Sequence, residues 1–119
     1  MVKALIRPFL PAQDFARSKA FYAALGFATE YEDDTIAILD HDGAGFLMQN
    51  YFVQGWAENC MVQLFVHGLD DWWRRTEDLT ERFAVRAPVA PAMQPWGIRV
   101  GFLWDPSGVL WHVAEPPGG

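Results

Sequence analysis

The order of extended and helical patterns is the feature that most constrains this chain, because it occurs twice. A short apolar run, ALIRPFL, precedes the segment DFARSKAFYAALGF, in which apolar residues recur at helical spacing. Three short extended runs follow, namely ATEYE, TIAILD and GFLMQNY. The second half begins in the same way, with MVQLFVH and then DDWWRRTEDLTERF. We therefore predict a strand, a helix and further strands in each half.

The first helix has recognisable ends. Asp14 is a good N-cap, because its carboxylate can accept hydrogen bonds from the free N–H groups of the first turn. Gly26 is placed to end the helix in the left-handed conformation that glycine allows. The residues of one helical stripe should pack on a sheet; they are Phe15, Ser18, Phe21 or Tyr22, and Leu25.

The second half is less regular than the first. Its segment DDWWRRTEDLTERF is predicted to be a helix with Asp70 as its cap. One face of this helix is made of Leu69, Trp73, Thr76, Leu79 or Thr80, and Phe83. The proline-containing stretch APVAPAMQPWG is predicted to be a loop, and irregular loops often carry function. The last two runs, IRVGFLW and VLWHVAE, predict a hairpin about DPSG, which suits a type I turn.

The face on which His112 lies decides what it can do. If Trp104 opposes Val109, Gly101 lies across from His112, and His112 shares a face with Arg99. This pairing would point His112 into an open, pocket-like space. A bulge at Gly108 would shift the pairing by one residue, and a satisfied histidine on a half-buried sheet is the alternative reading.

Composition narrows the class of protein. The 119 residues fit one domain, 1–119, with modules at about 3–52 and about 60–115, and a chain this small leaves self-association open. The net charge of −6 argues against a nucleic-acid partner. No apolar run approaches the roughly 18 residues of a membrane span. A single cysteine, Cys60, is compatible with a cytoplasmic location.

The two motif-bearing segments together resemble a known family. DFARSKAFYAALGF, followed much later by WGIRVGFLWDPSGVLWHVAE, resembles the vicinal oxygen chelate superfamily, the glyoxalase/bleomycin-resistance fold. The resemblance covers nearly the whole chain. It implies an α+β fold in which two βαβββ modules form a curved open barrel, often dimeric, with sites between modules.

The resemblance also implies where a divalent metal would be held in the catalytic members. Counting back seven residues from the residue that opens each helix gives Arg7 and Met61, and counting four past each turn glycine, Gly45 and Gly108, gives Gln49 and His112. A slip of two residues in the second opening strand would replace Met61 by Gln63. Arg7 has no lone pair to donate and repels a cation by about 4 kcal/mol per unit of charge at ~4 Å. We therefore expect no metal, no other cofactor and no catalytic residue.

The details resemble the bleomycin-resistance branch most closely, in RPFLPAQD, in MVQLFVHGLDDW and in the Trp-Gly before the last hairpin. This implies a homodimer that sequesters a small molecule, such as a cationic, aromatic bleomycin-type antibiotic, in an aromatic-lined groove. Trp96 is the first candidate for stacking on the ligand, because a loop tryptophan is the least explained by packing. The full predicted set of ligand-binding residues is Gln49, Tyr51, Phe52, Trp56, Trp96, Arg99, Trp111 and His112.

Two other classes of function remain open at this point. One is an enzyme of the glyoxalase type, either a metal-dependent lyase, isomerase or dioxygenase, or a metal-free enzyme that uses His112 as a base. The other is a small-molecule sensor or binding module without a drug ligand. The side chains at Arg7, Gln49, Met61 and His112 discriminate between the enzyme and the binding protein.

Overall fold

A computed structural model describes residues 4–117 and shows two four-stranded sheets. In module 1 the elements are β1 (Phe9–Pro11), α1 (Phe15–Leu25), β2 (Ala28–Glu32), β3 (Ile36–His41) and β4 (Ala44–Gln49). The four strands form sheet 1 in the order β1-β4-β3-β2, with β1 parallel to β4. A short helix, α2 (Gln54–Glu58), links this module to the next.

Module 2 repeats the same order of strands. Its elements are β5 (Met61–Phe65), α3 (Leu69–Trp73), a 3₁₀ turn (Arg74–Thr76), α4 (Leu79–Phe83), β6 (Val89–Met93), β7 (Arg99–Trp104) and β8 (Leu110–Ala114). Sheet 2 has the order β5-β8-β7-β6, again with its first and last strands parallel. The predicted α+β fold of two βαβββ modules is confirmed. The sheets are open and do not close into a complete barrel.

Helix α1 begins and ends where the sequence predicts. The carboxylate of Asp14 accepts a hydrogen bond from the N–H of Arg17 at 3.1 Å, and Gly26 ends the helix at φ 106°. The stripe of Ser18, Phe21, Tyr22 and Leu25 is buried. This helix therefore packs on the sheet with the predicted face.

The second predicted helix is wrong in its continuity and in its cap. It begins at Leu69, so the predicted cap Asp70 lies in the first turn, and the residue at the cap position is Gly68 at φ 66° without a side-chain cap. The first-turn N–H groups of Gly68 and Leu69 instead donate to Glu115 at the end of β8. The helix then tightens into the 3₁₀ turn, where the hydroxyl of Thr76 donates to the carbonyl of Trp73 at 2.8 Å. A side chain that bonds the preceding backbone competes with regular helix, which explains the break.

The proline-containing stretch is also corrected, because part of it is a strand. Residues Val89–Met93 form β6 at the edge of sheet 2, and their pairing with β7 shifts between Val89 and Ala92. Pro91 lacks an N–H group, but an edge strand with an irregular register tolerates that loss. The loop that remains is the short connection from Gln94 to Ile98.

The two modules share one core. Phe46 of β4, Trp111 of β8 and Tyr22 of α1 lie against one another, with ring centroids 4.8–5.5 Å apart. The two contacts of Phe46 are edge-to-face, and that of Tyr22 with Trp111 is tilted. Aromatic contacts of this kind add about 0.5–1.5 kcal/mol each beyond the burial of apolar area. Neither module could keep this cluster dry without the other.

Each sheet has a second face that remains exposed, here called the open face. Along β4 the residues alternate, so that Phe46 and Met48 are buried while Leu47 and Gln49 are only half-buried. On β5 the open face consists of Met61, Gln63 and Phe65, and all three are exposed. Large apolar side chains that stand out on the two open faces are Phe9, Tyr31, Met61, Phe65 and Val89.

Candidate functional site

His112 lies on the open face of sheet 2, but its neighbour differs from the one predicted. Trp104 pairs with Leu110 rather than with Val109, and Phe102 rather than Gly101 lies across from His112. Gly108 adopts φ 98°, so the turn contains the extra residue that shifts the pairing by one. The imidazole of His112 contacts the ring of Phe102 edge-on, with centroids 4.8 Å apart.

The shifted register moves Arg99 to the other side of the sheet. Arg99 donates to the carboxylate of Asp70 at 2.6 Å, and its guanidinium lies 3.9 Å from Glu115. Hydrogen bonding and the positive charge of Arg99 lower the pKa of Asp70. The prediction that Arg99 shares the face of His112 is therefore wrong; Arg99 joins β7 to the start of α3 and the end of β8.

Trp111 is a core residue rather than part of the open face. It is 4% exposed, and its indole N–H donates to the hydroxyl of Tyr22 at 3.0 Å. The ring also forms one wall of a cavity of about 240 Å³ between the modules, beside Gly45 and Val62. Because Trp111 and His112 point to opposite faces of β8, they cannot contact one ligand on the open face.

The hydroxyl of Tyr22 continues this contact into a buried polar chain. Tyr22 donates to Asp105 at 2.6 Å, and the backbone N–H groups of Ser107 and Val109 donate to the other oxygen of Asp105. Burial raises the pKa of Tyr22 well above its usual value, and the charge of Asp105 raises it further. Burial also raises the pKa of Asp105, against the opposing effect of its hydrogen bonds. This chain joins α1 to the last hairpin and has no opening toward a ligand on the open faces.

The position in module 1 that corresponds to His112 is Leu47 rather than Gln49. The turn glycine of the first hairpin is Gly43, at φ 89°, and Gly45 lies inside β4. Counting four residues past Gly43 gives Leu47, which lies between two buried residues as His112 does. The predicted correspondence of Gln49 to His112 is therefore corrected. Gln49 lies on the same open face, two residues further along β4.

Arg7 is already engaged on sheet 1. Its guanidinium lies 3.5 Å from the carboxylate of Glu30, and its Nε lies 3.7 Å from the place where a Cβ on Gly45 would stand. The guanidinium therefore extends past Gly45 toward β2. A cation held in this way occupies the space that a metal ligand from β1 would use.

Gln63 is the residue of β5 that pairs with His112, as the two-residue slip anticipated. Met61 pairs with Leu110, two residues nearer the turn than His112. Met61, Val62, Gln63 and His112 together line a small cavity of about 150 Å³. Sequence reasoning gave Gln63 no role in ligand binding, although the alternation of MVQLF already places it beside Met61 and Phe65.

The side chains at the expected metal positions do not fit a divalent metal. Arg7 is a cation, Leu47 has no donor atom, and His112 is the single imidazole. The second opening strand offers only the soft thioether of Met61 or the neutral amide of Gln63. Between residues 4 and 117, no three His, Cys, Asp or Glu side chains come close enough to hold an ion. A site with one imidazole and one neutral amide does not bind zinc or its relatives tightly.

The predicted aromatic residues occupy two separate places. Tyr51 and Trp56 lie in the link between the modules with ring centroids 6.5 Å apart, and Phe52 beside them packs on the core. Trp96 lies in the turn between β6 and β7 and is 57% exposed. The turn is closed by hydrogen bonds from Gln94 to Ile98 and from Gly97 to Gln94. Within one chain, the predicted ligand-binding residues of the link and of the β6–β7 turn therefore do not form a single site.

A family model for the Glyoxalase/Bleomycin resistance protein/Dioxygenase superfamily matches residues 4–113, and the chain belongs to this superfamily. A bleomycin resistance protein of Klebsiella pneumoniae is 28% identical, over 91% of this chain and 89% of that protein. The bleomycin resistance determinant encoded on the transposon Tn5 superposes with a TM-score of 0.79 at 23% identity, covering 95% and 98% of the two chains.

A third relative was solved with a ligand. The bleomycin-binding protein of the bleomycin-producing Streptomyces verticillus, complexed with copper(II)-bleomycin, has a TM-score of 0.76 at 24% identity, covering 97% of this chain and 98% of that one. These likenesses confirm the predicted fold and the resemblance to bleomycin-resistance proteins. Along residues 4–117, no helix is long and apolar enough to cross a membrane.

Proposed function

We propose that this protein binds a bleomycin-type antibiotic, or a ligand of similar cationic and aromatic character, and lowers its free concentration without chemical change. The observation that carries the proposal is the similarity to a bleomycin resistance protein along 91% of the chain. The net charge of −6 favours a cationic partner.

The residues on the open faces support binding rather than metal-dependent catalysis. The positions that would hold a metal in this superfamily carry Arg7, Leu47, Met61 or Gln63, and His112. These side chains offer apolar contact and a few hydrogen bonds, which is how small-molecule sites orient their ligands. A stoichiometric zinc, nickel or manganese ion in protein purified without chelator would contradict this part of the proposal.

The exposed apolar side chains of the open faces support a homodimer. Phe9 and Tyr31 on sheet 1 and Met61 and Phe65 on sheet 2 are each about half exposed or more. Contiguous apolar surface of this kind commonly marks an interface. In a dimer, the open face of one protomer would lie against the other protomer and leave grooves between them for the ligand. Sedimentation equilibrium tests this, and a protein that stays monomeric at micromolar concentrations would contradict it.

Trp96 is the proposed stacking residue. Its ring is exposed on a turn whose backbone is fixed by hydrogen bonds, so the ring can be presented to a ligand at low entropic cost. Stacking on a cationic aromatic group contributes about 0.5–2 kcal/mol. The other residues of the proposed groove come from both protomers of the dimer. They are Gln49, Tyr51, Phe52, Trp56 and His112.

Calorimetric titration with bleomycin, with and without copper(II), tests the proposal directly. The wild-type protein should bind both forms, and Trp96→Phe should weaken binding about threefold to tenfold. Trp73→Phe is the matched control, because it also removes one indole but lies on the helix-covered side, against Gly101. The proposal fails if the wild type does not bind, and the role of Trp96 fails if the two variants behave alike.

A further inference from the structure

A second cavity lies at the junction of the two modules, away from the residues proposed for drug binding. It has a volume of about 370 Å³ and is formed where the β3–β4 turn of module 1 meets β5 and α3 of module 2. Its polar wall consists of His41, Asp42, His67, Trp72 and Arg75. Four of these residues carry N–H groups, and because the indole of Trp72 already donates to His41, three remain that can donate hydrogen bonds to an anion.

Arg75 is unusual among the arginines of residues 4–117. Arg7, Arg17, Arg74, Arg82 and Arg99 each have a carboxylate within 4.0 Å. Neither Arg75 nor Arg86 has such a partner in the described chain, and Arg86 stacks on Trp104 at 3.9 Å. In a protein with a net charge of −6, a guanidinium without a carboxylate partner requires an explanation.

The position of Arg75 is fixed by the backbone around it. Its Nη1 donates to the carbonyl of Leu25 at 2.7 Å, and the guanidinium lies 5.6 Å from the ring of Trp72. A Cβ on Gly26 would stand 2.3 Å from Nη1, so a larger residue at this position would displace the guanidinium. One nitrogen of the fork is thus anchored, and the rest of the fork remains without a described protein partner.

His41 lies beside the guanidinium, with its Nε2 3.4 Å from Nη1 of Arg75. The indole N–H of Trp72 donates to Nε2 of His41 at 3.0 Å. Because Nε2 accepts this bond, a neutral His41 carries its hydrogen on Nδ1. The nearest acceptor to Nδ1 is the carboxylate of Asp42 at 4.0 Å, which is too long for a hydrogen bond and belongs to a side chain that is 95% exposed.

We propose that this junction cavity binds a small oxyanion, such as a phosphate or carboxylate group, held by Arg75 and by the imidazoles of His41 and His67. A planar guanidinium suits two oxygens of such a group, and an adjacent imidazole N–H can donate to a third. Asp42 at the rim opposes the anion and limits its affinity. The residues proposed to hold the anion are distinct from those assigned to the drug groove, although Phe65 of the proposed dimer surface also lines this cavity.

The test is a titration of inorganic phosphate followed by NMR, with the indole N–H signal of Trp72 as the local reporter. In the wild type this signal should shift and saturate. Arg75→Gln should weaken binding about tenfold or more, since it removes a charge-assisted contact. Arg74→Gln is the matched control, because Arg74 is the neighbouring exposed arginine and pairs with Asp71; this variant should bind as the wild type does.

Asp42→Asn gives a test in the opposite direction and does not depend on the folding of an arginine variant. Removal of the opposing charge should tighten phosphate binding about threefold. The Arg75→Lys variant keeps the positive charge and should retain part of the wild-type affinity for phosphate. The proposal is overturned if the Trp72 signal does not respond to phosphate in the wild type. It is equally overturned if Arg75→Gln and Arg74→Gln bind alike, or if Asp42→Asn binds no more tightly than the wild type.

Discussion

Module 1 and module 2 share a backbone plan but differ where they meet solvent. On the last strand of each module, the buried positions carry Phe46 and Met48 in one and Trp111 and Val113 in the other. The position between them is Leu47 in module 1 and His112 in module 2. The buried positions thus preserve the sheet, because they must fill one shared core. The open face is free to vary, and it carries the chemical difference between the modules.

The helices of the two modules also differ. Helix α1 is a single segment of 11 residues, whereas its counterpart is divided into α3, a 3₁₀ turn and α4. Trp73 of the divided helix lies on Gly101, whereas the counterpart of Gly101 on β3 is the fully buried Ala37. A glycine under a large ring in module 2 thus corresponds to a buried alanine in module 1.

The largest expected effect tests whether the core is shared. Leu25→Asp places a charge at a site in α1 that is 1% exposed, at a cost of several kcal/mol against a total stability of about 5–15 kcal/mol. We expect the whole chain to unfold, including module 2, as measured by circular dichroism and tryptophan fluorescence. Ala20→Asp, on the exposed side of the same helix, should remain folded. A Leu25→Asp variant in which module 2 stays native would show that the modules are independent.

The next effect concerns the polar chain that crosses from module 1 to module 2. Tyr22→Phe removes the hydroxyl that donates to Asp105 and accepts from Trp111, and it leaves both partners buried. We expect a loss of about 1–3 kcal/mol in the free energy of unfolding by urea. Asp105→Asn in the Tyr22→Phe background should cost less than Asp105→Asn alone, as coupled partners require. Additive losses would contradict a direct link.

The same chain predicts a dependence on alkaline pH. Because the pKa of Tyr22 is raised in the folded state, the folded protein holds the phenolic proton more tightly than the unfolded chain does. Stability is therefore complete below the unfolded value of about 10 and falls as the pH rises above it. The fall should be smaller in Tyr22→Phe. Tyr31→Phe, which removes an exposed hydroxyl bonded to Asp33, should change the pH dependence less.

A smaller effect sharpens the contrast between Gly101 and Ala37. A Cβ on Gly101 would lie 2.6 Å from two ring carbons of Trp73, so Gly101→Ala should cost about 1–3 kcal/mol in thermal or urea unfolding. Trp73→Leu in the same chain should recover part of the loss. Gly55→Ala is the matched control, since no atom lies within 4 Å of its added Cβ. Equal effects at the two glycines would mean that Trp73 does not determine the need for Gly101.

Much of this comparison could be predicted from the sequence. Apolar periodicity, the cap at Asp14 and the glycine at Gly26 predicted α1 correctly, because these signals act within a few residues. The break in the second helix could not be predicted, since it depends on a Thr76 hydroxyl turning back to the chain. The strand β6 was missed for a similar reason: Pro91 argues against a strand until the edge position of that strand is known.

The candidate site was less predictable than the fold. The positive φ of Gly108 shifts the last hairpin by one residue, and this single step exchanged Gly101 for Phe102 opposite His112. The same step carried Arg99 to the opposite face. The first hairpin has the same difficulty. If Gly43 makes the turn, Leu47 corresponds to His112; if Gly45 made it, Gln49 would. Local sequence signals cannot decide register at this precision, because a slip of one residue exchanges the two faces of a strand.

The smallest expected effect tests that register directly. Arg99→Gln breaks an exposed ion pair with Asp70, and such pairs contribute little to stability in water. The pKa of Asp70 is lowered by Arg99, so the contribution is present at neutral pH and is lost as the pH falls through the acidic range. The melting temperature of the variant should therefore drop slightly at pH 7 and match the wild type in acid. Its affinity for bleomycin should be unchanged, whereas His112→Leu on the open face should weaken binding. If Arg99→Gln lowered the affinity for bleomycin about tenfold and His112→Leu did not, Arg99 would have to lie on the ligand-binding face. The register described for the last hairpin would then be wrong.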